Sequence, residues 1–135
     1  MNLILALFLS GTFSGIGQAN FASGRKYQCS KIFLNIKIKE DAFYLNEGGY
    51  SCGGGLDASF DNFKMTIQDG KLFNKTKQLG TISNEGLEYQ IYDPADDSTY
   101  HLKLKKISTN SISYNEEWTV GGKIALTVNG ELKRN

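Results

Sequence analysis

Proline, histidine, tryptophan and cysteine are nearly missing from this 135-residue chain, which has one, one, one and two of them. A single proline beside eight Phe and seven Tyr excludes a disordered, proline-rich tail and suits strands. The lone histidine, His101, confines any histidine-dependent mechanism to one side chain, and with two cysteines it makes a poor zinc set. No C-x-x-C is present for thiol–disulfide exchange, and no Gly-x-Ser-x-Gly elbow for a nucleophilic serine. Neither sign of charge prevails: 15 Lys and Arg stand against 14 Asp and Glu. That balance removes the electrostatic case for nucleic acid as a partner. No catalytic residue, metal site or cofactor is expected.

What is present begins at the N-terminus. Met1 to Ala19 carries no charged side chain, and Leu3 to Leu9 forms an apolar run too short to span a bilayer. Gly17 and Ala19 place small residues at −3 and −1 of a cleavage site before Asn20. The stretch 1–19 therefore reads as a signal peptide and 20–135 as one exported β domain, periplasmic or extracellular and soluble. No later apolar run approaches the roughly 20 residues of a membrane helix, so the mature chain should lack a transmembrane segment. In an oxidising compartment Cys29 and Cys52 should form one disulfide, closing a loop of about 24 residues worth roughly 3–3.5 kcal/mol.

The rest alternates with period two. Ile32, Leu34, Ile36 and Ile38 alternate with Phe33, Asn35, Lys37 and Lys39, and Phe63, Met65 and Ile67 repeat the pattern before the turn Asp69-Gly70. Further runs follow at Lys71–Phe73, Leu79–Ser83 and Leu87–Ile91. Beyond the break at Asp93–Asp97 lie Tyr100–Leu104, Ile112–Tyr114 and Ile124–Val128, with Asn129-Gly130 read as a bulge before Leu132. Leu56 to Phe63 has room for one helical turn. The spacing predicts eight or nine short antiparallel strands, an up-and-down meander closed into a barrel, with a two-sheet sandwich as the alternative.

In architecture such a meander resembles the lipocalin-like barrels, although their Gly-x-Trp near the first strand is absent and the sole tryptophan is Trp118. Tyr27-Gln28-Cys29 is similar to the early Tyr-x-Cys of small periplasmic lysozyme inhibitors, a three-residue match.

Several side chains invite a functional reading. Tyr50, Phe60, Phe63 and Phe73 would line a pocket for a small apolar ligand if the barrel is hollow, with its mouth between Tyr50 and Phe60. Lys37 and Lys39, with Lys103 and Lys105, would form a basic face if their strands lie close together. Cys52-Gly53-Gly54-Gly55 lacks the Gly-Lys-Ser/Thr of a phosphate loop and reads, with Gly48-Gly49, as tight turning beside the disulfide. Asp93, Asp96 and Asp97 read as a solvated turn, and Asp57 and Asp61 as a loose pair belonging to a separate place. Glu116 and Glu117, as neighbours on a strand, should point to opposite faces. The sequence thus predicts a non-enzymatic binding protein for a small apolar ligand. The alternative is a binder of macromolecules, such as an inhibitor of an envelope enzyme, acting through loops or lysines.

Overall fold

The computed structural model describes residues 9–39 and 41–135. Eleven antiparallel strands run in chain order: β1 (Gly11–Phe21), β2 (Lys26–Lys39), β3 (Ala42–Cys52), β4 (Asp57–Phe60), β5 (Phe63–Gln68), β6 (Lys71–Asn74), β7 (Lys77–Ser83), β8 (Gly86–Asp93), β9 (Ser98–Ser108), β10 (Ser111–Val120) and β11 (Lys123–Arg134). Ten of them close into a ring through the β1–β11 and β2–β3 ladders, and β4 is paired with β3 alone. The fold is a closed barrel, which resolves the choice against a sandwich. Among the described residues no helix is long and apolar enough to cross a membrane.

The tight turns follow from their residues. Asp69-Gly70 and Gly121-Gly122 have positive φ at both positions, the geometry that joins two twisted strands through two residues. Asn129-Gly130 is not a bulge: β11 stays in register with β1 and β10 across it. No helical turn forms at Leu56–Phe63; a one-turn 3-10 helix occupies Gly53–Gly55 instead, and β4 follows.

Of the eleven strands, against eight or nine expected, β1, β3 and β4 fall where the sequence shows no alternating run. Gly11–Ala19, read as the end of a leader, supplies nine of the eleven residues of β1. That strand is hydrogen-bonded on both edges, and Phe13 and Ala19 have no exposed surface. The folded domain therefore includes residues well before Asn20, and Leu9 is itself fully buried. Most of the apolar run, Met1–Phe8, lies outside the described residues. In β3, Gly48 and Gly49 sit within the strand rather than in a turn. A Cβ on Gly49 would stand 2.2 Å from the Ala58 carbonyl oxygen, so glycine here lets β4 approach.

The registers explain where the barrel opens. β4 and β5 keep one register along β3, from Ser51↔Asp57 through Leu45↔Phe63 to Ala42↔Thr66, so they are a single stave broken at Asp61-Asn62. β5 pairs onward with β6, whereas the outer edge of β4 has no strand partner among the described residues. Across from it, the β7–β8 ladder ends at Gly80↔Tyr89, and Gln90–Asp93 pair only with β9. A seam opens between β4 and the end of β8. At the other end of the barrel, Phe13, Leu34, Phe43, Met65, Leu72 and Leu132 pack together with almost no exposed surface.

Candidate functional site

The seam leads into a cleft of about 760 Å³. Tyr50, Phe60 and Phe63 line it, as expected, and its mouth lies beside β4. Phe73 does not line it. On β6 Leu72 takes the inward position and is fully buried, so alternation turns Phe73 to the outside.

Tyr89, Tyr100 and Trp118 complete the aromatic lining. The rings meet edge to face or tilted: Tyr50 and Phe60 at 6.0 Å, Phe60 and Tyr100 at 6.1 Å, Phe63 and Tyr89 at 5.5 Å, and Tyr100 and Trp118 at 4.9 Å. Such pairs hold one another's orientation at about 0.5–1.5 kcal/mol each beyond the area they bury.

Behind this lining sits Glu116, 1% exposed. Its carboxylate accepts four hydrogen bonds. Tyr50 Oη and Trp118 Nε1 donate to Oε2, each at 2.8 Å; Tyr114 Oη and Tyr100 Oη donate to Oε1 at 2.5 and 3.3 Å. All four donors are uncharged. Burial pushes the Glu116 pKa above its ordinary value, and the four donors oppose that rise by favouring the charged form. The Tyr50, Tyr89, Tyr100 and Tyr114 hydroxyls are all pushed up, first by burial and further by charge around them, including that of Glu116. All four stay protonated and able to donate. The Tyr89 hydroxyl, on a side chain 1% exposed, approaches Tyr100 without reaching hydrogen-bond geometry and has no partner. An unmatched buried hydroxyl of this kind costs about 1–3 kcal/mol.

The sequence carried a signal for this network. Ile112, Tyr114, Glu116 and Trp118 stand at alternate positions on β10, which places a carboxylate between two aromatics on the inward face. Glu117 points outward, as expected, opposite His101 on β9. His101 Nε2 lies 3.2 Å from Glu88 Oε2 on the outer surface, away from the cleft.

Asp57 and Asp61 do not form a separate place. They line the same cleft as Asp93 and Asp96, because the β4 ends and the β8–β9 turn face each other across the seam. Asp93 Oδ1 accepts from the Ala95 amide at 2.9 Å, and Asp96 Oδ1 accepts from Ser98 Oγ at 2.5 Å, so both carboxylates shape the turn as well. No group of His, Cys, Asp and Glu among the described residues has the arrangement of a metal site.

The expected lysine face does not assemble. Lys37 and Lys39 are on β2, and Lys103 and Lys105 on β9; β1, β11 and β10 separate them one way and five strands the other. The Cys29–Cys52 disulfide is formed, bridging β2 and β3 at the end of the barrel that carries the cleft. Beside it, Gly54 turns with φ 69°, and a Cβ there would lie 2.5 Å from the Tyr27 ring. Local packing against Tyr27 thus requires glycine at position 54.

No family model matches the chain, and no curated protein matches its sequence. Solved structures share its fold. A protein of unknown function from the DUF3598 family of Nostoc punctiforme superposes with a TM-score of 0.68 at 10% identity, over 100% of this chain and 49% of that one. The S-type phycobiliprotein lyase of Guillardia theta gives 0.65 at 9% identity, over 95% and 89%. EF1p2_mFAP2b, solved bound to DFHBI, gives 0.58 at 13% identity, over 100% of both chains. At such identities the likeness is one of fold, a closed antiparallel β-barrel.

Proposed function

We propose that this protein binds a small, largely apolar aromatic molecule in the cleft between β4 and β8, without transforming it. The observation that carries the reading is the coincidence of the open seam with the aromatic lining. One end of the barrel is filled, whereas the other leaves a cavity of about 760 Å³ among six aromatic side chains. That volume lies within the range of small-molecule sites, and apolar walls with few polar groups are their usual composition. EF1p2_mFAP2b is a barrel of the same fold that holds a small molecule, which supports the reading by analogy of architecture.

A non-catalytic role agrees with Glu116. Two neutral donors already occupy each of its oxygens, and it stands behind the lining, so its part is to position Tyr50, Tyr100 and Trp118. The disulfide supports an oxidising compartment, as an exported protein would meet.

Trp118 is the chain's only tryptophan and lines the cleft, so its fluorescence reports occupancy directly. Titration with the neutral dye N-phenylnaphthylamine should quench Trp118 by energy transfer and saturate at one dye per chain. An unchanged Trp118 signal at high micromolar dye would defeat the proposal.

A further inference from the structure

Resting on that reading, we infer that the ligand is an organic cation: an aromatic body bearing a protonated or quaternary nitrogen. The cleft is lined by four acidic residues, Asp57, Asp61, Asp93 and Asp96, and by no Lys, Arg or His. This departs sharply from the chain as a whole, whose charges nearly cancel. Asp57 and Asp61 come from the flanks of β4 and Asp93 and Asp96 from the β8–β9 turn, so the acidic residues converge from both sides of the seam.

Two features of the aromatic wall favour the same chemistry. The Glu116 carboxylate behind Tyr50, Tyr100 and Trp118 has only uncharged hydrogen-bond partners, so its negative charge is dispersed but not neutralised. That charge acts across the aromatic wall, where a cation is attracted and an anion repelled. Tyr50, Tyr100 and Trp118 themselves present rings, and ring faces attract ammonium groups. The Tyr89 hydroxyl, buried against the cleft without a hydrogen-bond partner, leaves one polar position for the ligand and can accept an N–H as well as donate. Phe60 and Phe63 would hold the apolar body.

The inference separates experimentally from the cleft itself. Trp118 fluorescence is followed in titrations with three dyes of similar size: cationic thioflavin T, neutral N-phenylnaphthylamine and anionic anilinonaphthalene sulfonate. Thioflavin T should bind roughly tenfold more tightly than the neutral dye, and the anion most weakly. Its advantage over the neutral dye should shrink between low and high salt and fall several-fold in the Asp57→Asn/Asp93→Asn double variant. If the neutral dye perturbs Trp118 with affinity equal to or above that of thioflavin T, the cation inference is overturned and the cleft reading stands. If no dye perturbs Trp118, both fall.

Discussion

The two ends of this barrel are built from the same alternation and end differently. At one end every strand is paired on both sides, and Phe13, Leu34, Met65, Leu72 and Leu132 fill the interior. The Arg134 guanidinium lies over the Phe13 ring at 4.7 Å and helps cap that end. At the other end β4 and the last residues of β8 lack their second neighbour, and rings with polar tips replace the aliphatic side chains. A closed ladder allows dry packing, whereas a broken stave leaves space that must be lined by groups tolerant of both water and a ligand. Stability should therefore reside at the packed end and binding at the open end.

The largest effect should come from removing β1. A chain beginning at Asn20 would lose the strand that joins β2 to β11, and circular dichroism with denaturant should show no cooperative unfolding. A fully folded 20–135 fragment would contradict the assignment of residues 11–19 to the barrel. Next, Phe13→Ala should cost about 3–5 kcal/mol in urea unfolding with little effect on dye binding. The disulfide lies between these extremes: replacing both Cys29 and Cys52 by Ser should cost about 3 kcal/mol. At the open end, Phe60→Ala should cost under about 1.5 kcal/mol, because the ring is only partly buried, yet weaken N-phenylnaphthylamine several-fold. Equal stability losses at Phe13 and Phe60 would erase the contrast.

Glu116 gives a pH-dependent test of the same contrast. Its folded pKa is raised, so the native state binds more protons than the unfolded state between the ordinary value of 4.5 and the raised one. The stability difference between the wild type and Glu116→Gln should therefore fall as pH rises above about 4.5 and level off once the folded Glu116 has ionised. A difference that grows with pH would show that the four donors outweigh burial.

The sequence made the packed end and most strands legible, because Ile32 to Ile38, Phe63 to Ile67 and Tyr100 to Leu104 alternate cleanly and end in Asp, Asn and Gly. β1 was hidden by Gly11, Gly15 and Gly17, small residues that serve a leader's cleavage region and a crowded strand equally well. β3 was hidden by Gly48 and Gly49, where glycine marks the approach of β4 and not a turn. Half of the aromatic lining, Tyr50, Phe60 and Phe63, could be named from its clustering around the glycines. Tyr89, Tyr100, Trp118 and the joining of the two Asp pairs depend on which strands meet across the seam, and that is set by long-range register. Phe73 failed for a local reason: its neighbour Leu72 occupies the inward position.

The central claim is that a ligand enters the open end and no other part of the molecule. Nuclear Overhauser contacts between bound N-phenylnaphthylamine and the protein test it most directly. The account predicts contacts from the dye's aromatic protons to Tyr50, Phe60 and Trp118, with none to Phe13, Leu72 or Leu132. Contacts at the packed end, or along the outward faces of β2 or β9 in place of the cleft, would contradict it.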